Sequence, residues 1–474
     1  MSNNSNLACL STLELSKLIK QGEISPLELL NFYQGRIEQL EPKLGSFAFL
    51  DFESAQQQAQ QQTEILGNTS DTSKLPLFFG IPTAIKDLYD VAGMPSRYGN
   101  GVIPPQPASI DSGITQSIKK AGFIIVGKTA TSELGSLPYT ESPNLPPARN
   151  PWNLDYTAGG SSGGASAAVA GGLLPIAPGS DGGGSVRGPA FCCGLVGLKP
   201  SRGRISNAPV GDYAGGIATH GCLSRSVADS AALLDVLAGY KTGDPYWLES
   251  PDSSFLQQLE KQPKKLKIAF GSNLSVGGQA EDILAQQVTN VASHLESMGH
   301  VLVETCPDFA PLVKPFTMIW QSSVVSAGLP EQILSPMNQW LKQTAPDLQT
   351  YLRSLQQMQV YARQIVSFFD EYDVLLLPTY LQTTIEIGQW ADTPPDKTLE
   401  NIINWIAPCP PFNATGQPAI AIPTALGENN LPVGVQLIGK PADEVTILQL
   451  AYQLEKVLNW QETMNQQLLS GIKV

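Results

Sequence analysis

The sequence has no long apolar run. No stretch of its 474 residues approaches the roughly 18 consecutive apolar residues that a transmembrane helix requires. Residues 1–6 also lack the basic segment and the apolar segment that together mark a secretory signal. We therefore expect a cytoplasmic protein with no membrane partner.

Positive charge is also scarce. The chain has 29 Lys and Arg against 42 Asp and Glu, which gives a formal net charge of −13. Its longest basic runs are pairs, Lys119-Lys120 and Lys264-Lys265. Proteins that bind nucleic acids usually carry a basic face, and nothing in this pattern supplies one. The composition therefore argues against a nucleic-acid partner.

Signals for metal binding and for disulfides are missing. The six cysteines, at positions 9, 192, 193, 222, 306 and 409, form no C-x-x-C spacing and no cluster with the three histidines. In a chain of this size the pattern predicts reduced cysteines, no metal site and no organic cofactor. The adjacent Cys192 and Cys193 are interpreted as small packing residues.

Strand-like and helical segments alternate along most of the chain. Ser11 with Glu14, and the run 25–28 (Ser-Pro-Leu-Glu), have the spacing of helix starts. The apolar runs 123–126 and 267–270 predict strands. This alternation predicts an α/β fold whose parallel or mixed sheet is covered by helices on both faces.

The most informative segment is rich in glycine and serine. It holds Gly-Gly-Ser-Ser-Gly-Gly at 159–164 and Gly-Ser-Asp-Gly-Gly-Gly-Ser-Val-Arg at 179–187, joined by a predicted helix and a predicted strand at 173–177. Neither loop has the Gly-Lys-Ser/Thr or G-x-G-x-x-G pattern of a nucleotide site. One such loop would usually serve only close packing, but two loops that each expose a serine favour a site.

A nucleophilic serine needs an oxyanion hole and a base. In the second loop, the N–H groups of Gly182, Gly183, Gly184 and Ser185 are the candidate oxyanion donors. Glycine allows the main chain to approach an oxyanion closely because no Cβ intervenes.

Histidine is a poor candidate for the base. His294 and His300 are expected at the surface, and His220, in an expected loop, is left open. The letters G-x-S-x-G occur at 159–163, but a nucleophile elbow follows a buried strand, and residues 153–157 look like a loop. A Ser-His-Asp hydrolase is therefore disfavoured.

Lys86 is the alternative base. It ends an apolar, strand-like segment that begins at Gly80, whereas most lysines of the chain lie in polar runs. A lysine accepts a proton only when it is neutral, and burial lowers its pKa toward that state. On its own, the pattern fits equally well a lysine that pairs with Asp87 or is solvated.

Several motifs together resemble the amidase signature family of Ser-Ser-Lys hydrolases. The resemblance covers nearly the whole chain, with the motifs in the family's order. The matching segments are 80–87, 149–153 (Arg-Asn-Pro-Trp-Asn), 159–164, 180–187, 194–200 (Gly-Leu-Val-Gly-Leu-Lys-Pro), 412–418 and 431–436.

This resemblance implies a catalytic triad. Ser185 matches the nucleophile, Ser161 matches the bridging serine whose preceding peptide bond is cis, and Lys86 matches the base. Ser162, Asp181 and Arg187 match supporting positions. The implied activity is hydrolysis of a carboxamide C–N bond through a serine acyl-enzyme, with a small-molecule amide as substrate.

The resemblance also implies one large α/β/α domain with a mixed, many-stranded sheet over residues 1–474. Within it we expect N-terminal helices (1–66), a signature core (78–240), a variable region that forms the substrate pocket (243–410) and a C-terminal part of the core (411–474). The N-terminal helices either pack on the sheet or form a homodimer contact. Phe316, Met318, Trp320 and Trp405 are expected in the core rather than in a pocket.

Two alternatives stay open at this point. The details of the motifs are similar to those of general bacterial amidases and amidases of the 6-aminohexanoate cyclic dimer hydrolase type. The first alternative is the glutaminase subunit of a tRNA-dependent amidotransferase, which passes ammonia to a partner. The second is a catalytically inactive scaffold.

Overall fold

A computed structural model describes residues 4–470. The strands are β1 Phe47–Leu50, β2 Pro82–Lys86, β3 Ile124–Thr129, β4 Arg149–Asn150, β5 Asn153–Thr157, β6 Ile176–Asp181, β7 Val196–Lys199, β8 Thr219–Ser224, β9 Lys267–Phe270, β10 Asn273–Leu274, β11 Gly278–Gln279, β12 Val301–Glu304, β13 Val374–Pro378, β14 Ala419–Leu426 and β15 Pro432–Gly439.

The α-helices are α1 Thr12–Lys20, α2 Pro26–Leu44, α3 Phe52–Asn68, α4 Gly113–Lys120, α5 Gly163–Ala170, α6 Arg187–Cys193, α7 Val227–Leu237, α8 Phe255–Gln258, α9 Asp282–Ser297, α10 Ala310–Ser326, α11 Pro336–Gln343, α12 Leu348–Ser367, α13 Pro395–Ile406, α14 Pro411–Ala414, α15 Glu444–Leu458 and α16 Trp460–Ser470. Short 3₁₀ helices lie at Asn4–Cys9, Thr72–Lys74, Glu133–Gly135, Ala214–Gly216, Glu331–Ile333, Phe368–Asp370 and Glu428–Asn430.

A mixed sheet of eight strands is the centre of the described residues. Its strand order is β12-β9-β13-β15-β14-β7-β8-β6. The pairs β12–β9 and β9–β13 are parallel, and every later pair along the sheet is antiparallel. The mixed, many-stranded sheet expected from the sequence is confirmed.

Both faces of this sheet are buried. Along β13, Val374 and Leu376 point to one core, while Leu375 and Leu377 point to the other. Successive side chains of a strand point to opposite faces, so a strand covered on both sides must be apolar at every position. This requirement explains the uninterrupted Val-Leu-Leu-Leu run, and it agrees with the predicted layer of helices on each face.

A smaller sheet, in the order β1-β3-β2, lies beside the edge strand β6. The hydroxyl of Thr83 on β2 donates to the carbonyl of Ile176 on β6 at 2.9 Å. This hydrogen bond joins the two sheets at β6, which belongs to the glycine-rich segment. It therefore positions the end of β2 close to the end of β6.

The N-terminal helices pack on the body of the protein. Ser11 and Ser25 form the predicted capping boxes with Glu14 and Glu28. The carboxylate of the buried Asp229, on α7, accepts hydrogen bonds from the first N–H groups of α1. Of the two alternatives for these helices, the structure shows packing within the chain.

Two local predictions are wrong. Residues 153–157 are not a loop but strand β5, which pairs with β4 and remains partly exposed, so it is not the buried strand of a nucleophile elbow. The predicted strand at 173–177 is displaced: residues 173–175 belong to no strand, and β6 begins at Ile176 and continues through Asp181. No helix among residues 4–470 is both long and apolar enough to cross a membrane.

Close packing accounts for part of the glycine content. A Cβ on Gly164, in the first turn of α5, would lie 2.3 Å from the carbonyl oxygen of Ser46 and 2.4 Å from the amide nitrogen of Ala130. Both are backbone atoms and cannot move aside as a flexible side chain could. Only glycine lets α5 approach the smaller sheet this closely.

We predict that Gly164→Ala destabilises the protein by about 1–3 kcal/mol, because overpacking forces the backbone to shift. The measurement is the midpoint of urea unfolding, followed by circular dichroism. Gly35→Ala is the matched control, since Gly35 lies on the exposed face of α2 with no atom within 4 Å of the added Cβ. The control should stabilise the protein by about 0.5–1 kcal/mol, because alanine is the better helix former. Equal midpoints for the two variants would contradict the packing argument.

Candidate active site

Lys86 is the last residue of β2, and its side chain is buried, with 1% of its surface exposed. Its neighbour Asp87 does not pair with it. The Asp87 carboxylate instead accepts hydrogen bonds from the N–H groups of Arg97 and Gly99 and lies 3.4 Å from the amine of Lys128. Lys86 therefore does not form the ion pair with Asp87 that the sequence allowed. Its amine lies in the interior of the protein.

Three serine hydroxyls surround the Lys86 amine. Nζ lies 2.8 Å from Oγ of Ser161, 2.9 Å from Oγ of Ser162 and 3.0 Å from Oγ of Ser180. The peptide bond between Gly160 and Ser161 is cis, in agreement with the expectation. An amine and three hydroxyls can exchange protons along hydrogen bonds, because each group can both donate and accept.

Burial lowers the pKa of Lys86 to about 7, although the negative charge of Asp181 opposes the shift. Desolvation disfavours the ammonium form, and no carboxylate among residues 4–470 touches the nitrogen to compensate. At neutral pH a substantial fraction of the amine is therefore unprotonated. The side chain is thus electrostatically suited to accept a proton.

Ser185 lies in the turn between β6 and α6 and is half-buried. It contributes to the same cavity wall as Ser161, together with Gly182, Gly183 and Gly184. Within residues 4–470 its hydroxyl has no hydrogen-bond partner, and the N–H groups of Gly182, Gly183 and Ser185 donate to no protein acceptor. These three N–H groups are available to a ligand.

Gly184 departs from the predicted oxyanion hole. Its N–H donates to Oδ1 of Asp181 at 2.8 Å, so this group is already occupied. Gly184 has a φ of +123°, and a Cβ there would lie 2.8 Å from Cβ of Cys409. The residue must therefore be glycine for conformation and packing, and the prediction that its N–H binds an oxyanion is wrong.

The turn is held by a fully buried ion pair between Asp181 and Arg187. Nη2 and Nε of Arg187 lie 2.9 and 3.0 Å from the two carboxylate oxygens, and the N–H groups of Val186 and Arg187 donate to the same carboxylate. Burial would raise the pKa of the Asp181 carboxyl, but the Arg187 charge and these hydrogen bonds hold it well below its usual range. The carboxylate is thus permanently charged and fixes the backbone around Ser185.

Further residues that support the site were not identified from the sequence. Asn413, on α14, donates from Nδ2 to Asp181 at 2.9 Å and accepts from Arg187 Nη2 at 2.6 Å. Gln436, on β15, accepts from Arg187 Nη1 at 3.0 Å. Both lie in segments that carry the family resemblance, and Ser180 lies in the glycine-rich run itself. Membership of these motifs was the only signal that could have found them.

The histidines do not supply a base. His220 is not in a loop but on β8, where burial lowers its pKa to about 3 and its ring packs 4.5 Å from that of Tyr89. Among residues 4–470, His220 forms no hydrogen bond with any serine side chain. His300 was expected at the surface but is buried. Its Nδ1 accepts a hydrogen bond from the N–H of Leu266. Lys86 is thus the basic group that the structure brings to the serines.

The serines open into a cavity of about 560 Å³. Its wall includes Phe316 and Trp320. Phe316 also belongs to the buried core as expected, Trp320 packs against that core, and Trp405 is fully buried as expected. Within residues 4–470, no group of three or more His, Cys, Asp or Glu side chains is placed to hold a metal ion. The site can therefore be described by its serines, its lysine and its backbone N–H groups.

Comparisons with known proteins identify this arrangement. The family model described as Amidase matches residues 28–448. The chain belongs to the amidase family. A Synechocystis sp. protein named "Putative amidase" is 50% identical to this amidase over 449 residues, covering 95% of this chain and 88% of that protein.

Solved structures agree with this assignment. The amidase superposes on 6-aminohexanoate cyclic dimer hydrolase with a TM-score of 0.89 and 29% identity, over 97% of this chain and 99% of that chain. A chain of the glutamyl-tRNA(Gln) amidotransferase from Thermotoga maritima gives a TM-score of 0.76 and 26% identity, over 96% of both chains. This amidase is thus an enzyme that hydrolyses amide C–N bonds.

We predict that Asp181→Asn destabilises this amidase by about 3–5 kcal/mol, because it leaves the buried Arg187 guanidinium without its counter-charge. The measurement is the midpoint of thermal unfolding. The control is Glu400→Gln in the exposed ion pair with Lys397, which should leave the midpoint unchanged. A midpoint for Asp181→Asn equal to that of the control would show that the buried pair does not hold the turn.

Proposed function

We propose that this amidase hydrolyses small-molecule amides through an acyl-enzyme on Ser185, with Lys86 as the base and Ser161 as the proton bridge. The observation that carries the proposal is the 2.8 Å contact between the buried Lys86 amine and the Ser161 hydroxyl, beside the free hydroxyl of Ser185. The lowered pKa of the buried Lys86 amine supports the same assignment.

In the first step, Ser185 Oγ forms a bond to the amide carbonyl carbon. Its proton passes to Ser161 Oγ, while the Ser161 proton passes to the neutral amine of Lys86. The carbonyl oxygen becomes an oxyanion, which accepts hydrogen bonds from the N–H groups of Gly182, Gly183 and Ser185. Oriented donors of this kind stabilise the charge that develops in the transition state.

In the second step, the C–N bond breaks and the leaving nitrogen takes the proton from the Lys86 ammonium by the same path. The product amine or ammonia departs, and the acyl group remains on Ser185. Water then attacks the ester, and the relay accepts and returns its proton in the same way. The products are a carboxylic acid and free Ser185.

Ser162 and Ser180 have a different role in this proposal. Their hydroxyls lie 2.9 and 3.0 Å from Nζ and fix the direction of the Lys86 amine. Asp181 and Arg187 hold the backbone of the turn and do not touch the reacting atoms. We also propose a cytoplasmic location, because all six cysteines are free and a reducing compartment maintains that state.

Ser185→Ala should lower kcat for amide hydrolysis at least about a thousandfold, because the covalent step cannot occur without the hydroxyl. Lys86→Ala should cause a loss of similar size, since residues that act as a unit fail together. The assay is ammonia or amine release from a panel of aliphatic and aryl amides. Ser326→Ala is the control, because Ser326 also lines the cavity but is exposed on α10. Turnover by Ser185→Ala at the wild-type rate would disprove the nucleophile assignment.

The pH dependence follows from the lowered pKa of Lys86. The neutral amine is the active form, so kcat/KM should rise with pH and level off above an apparent pKa of about 7. At pH 6 the rate should be about a tenth of the plateau, since about a tenth of the amine is then neutral.

Lys199 requires a control in this experiment, because burial also lowers its pKa to about 7. Its amine donates to the carbonyls of Pro200 and Gln417 and is not hydrogen-bonded to the serines. Lys199→Arg keeps the charge and removes the titration. The acidic limb should remain in this variant, and its disappearance would assign the limb to Lys199 instead.

A further inference from the structure

The cavity wall is largely apolar. Two helices and one loop supply part of its apolar lining, and each helix contributes residues four positions apart, which lie on the same face. The apolar residues that matter here are Phe316 and Trp320 on α10, Ile402 and Ile406 on α13, and Leu134 and Leu137 in the loop after β3. A volume of about 560 Å³ exceeds what a small polar acyl group would fill and suits a drug-sized apolar body.

The cavity approaches the nucleophile loop closely. A Cβ built on Gly183 would lie 3.7 Å from the Phe316 ring, and one on Gly135 would lie 2.8 Å from the Leu88 side chain. The Phe316 ring therefore lies beside Gly183, in the turn that carries Ser185. An acyl group attached to Ser185 would extend past apolar side chains of the wall.

The charged side chains in the wall are both acidic. Asp90 is half-buried, and Asp212 is exposed where the cavity meets solvent. Among residues 4–470, no lysine, arginine or histidine lines the cavity. Arg202 lies near Asp212, but its guanidinium donates to the carbonyls of Gly216, Asn413 and Ala414.

We infer that the physiological substrate is an apolar amide without a carboxylate, and that Asp90 and Asp212 reject amides that carry a carboxylate, including the zwitterion glutamine. An anionic substrate would lose its hydration in this cavity, gain no counter-charge, and meet two carboxylates. This inference rests on the proposed function, because it concerns the substrate of the same serine. It also separates this amidase from a glutaminase, whose substrate carries a carboxylate.

The test compares three amides of equal chain length that differ only in the far end: hexanamide, 6-aminohexanamide and 5-carboxypentanamide. We expect the highest kcat/KM for hexanamide, and a value for the carboxylate at least about tenfold below that for the ammonium amide. The ammonium amide controls for desolvation of a charge as such. Glutamine should give no ammonia above background. Equal rates for the carboxylate and the ammonium amide would overturn the inference.

Substitutions test whether the carboxylates of Asp90 and Asp212 cause the discrimination against the carboxylate amide. In Asp90→Asn/Asp212→Asn, the kcat/KM of the carboxylate amide relative to hexanamide should rise at least about threefold. Asp212→Asn alone, in an exposed loop, serves if the double variant does not fold. Asp155→Asn is the matched control, because it removes the same charge from an exposed position outside the cavity. A rise of the same size in the control would show that net charge, and not the wall, sets the preference.

A binding measurement separates this inference from the proposed function. Ser185→Ala protein is titrated calorimetrically with hexanamide and with 5-carboxypentanamide. Tighter binding of hexanamide supports the selection even if the wild-type protein releases no ammonia, in which case only the proposed chemistry fails. Equal binding of the two, or binding of neither, overturns the selection even if wild-type hydrolysis is observed.

Discussion

The proposed catalytic centre depends on one constraint: the amine nitrogen of Lys86 must be kept away from solvent. A solvated lysine is protonated at neutral pH, and it becomes a base only where the fold removes water without supplying a carboxylate. Here the Lys86 amine meets hydroxyls from Ser161, Ser162 and Ser180. The end of β2, the start of α5 and the end of β6 must therefore converge on one atom. The joint between the two sheets, fixed by Thr83, brings these chain ends together.

The Asp181–Arg187 ion pair has a different role. It directs backbone N–H groups toward the cavity. The Asp181 carboxylate binds the N–H groups of Gly184 and Val186, and the intervening turn leaves others unpaired. Two opposite charges can stay buried here because nearly all of their hydrogen-bonding capacity is used. Asn413 and Gln436 complete that shell from the C-terminal part of the chain. The nucleophile turn is thus tied to segments more than 200 residues away.

Local patterns predicted many of the elements, and they selected Lys86 and the Gly/Ser loops, which the structure brings together. Features that depend only on neighbouring residues are present in the structure. They are the capping boxes, the apolar strand that ends at Lys86 and the paired Gly/Ser loops. What failed depends on long-range contacts. The use of the Gly184 N–H is decided by Asp181, the position of His220 by its pairing in the sheet, and the start of β6 by its partner β8. The packing role of Gly164 depends on backbone at 46 and 130, which no local spacing reveals.

The wall of the cavity illustrates the same limit and has a functional consequence. Phe316 and Trp320 are spaced like core residues, and a pocket wall has the same spacing because it is apolar and helical. The proposed reacting groups come from residues 86–185, whereas much of the wall comes from residues 309–411.

The buried Glu133 connects these two parts. Its carboxylate accepts hydrogen bonds from the Ser335 N–H at 2.9 Å and from Asn338 Nδ2 at 2.6 Å, both at the start of α11. In the same loop, the N–H of Ser132 donates to the carbonyl of Ser161. The wall is thus attached to the reacting segment through hydrogen bonds that do not involve the Lys86 amine. Substitutions in α10 or α13 can therefore reshape the cavity while the base keeps its surroundings, so substrate preference can vary without change to the chemistry.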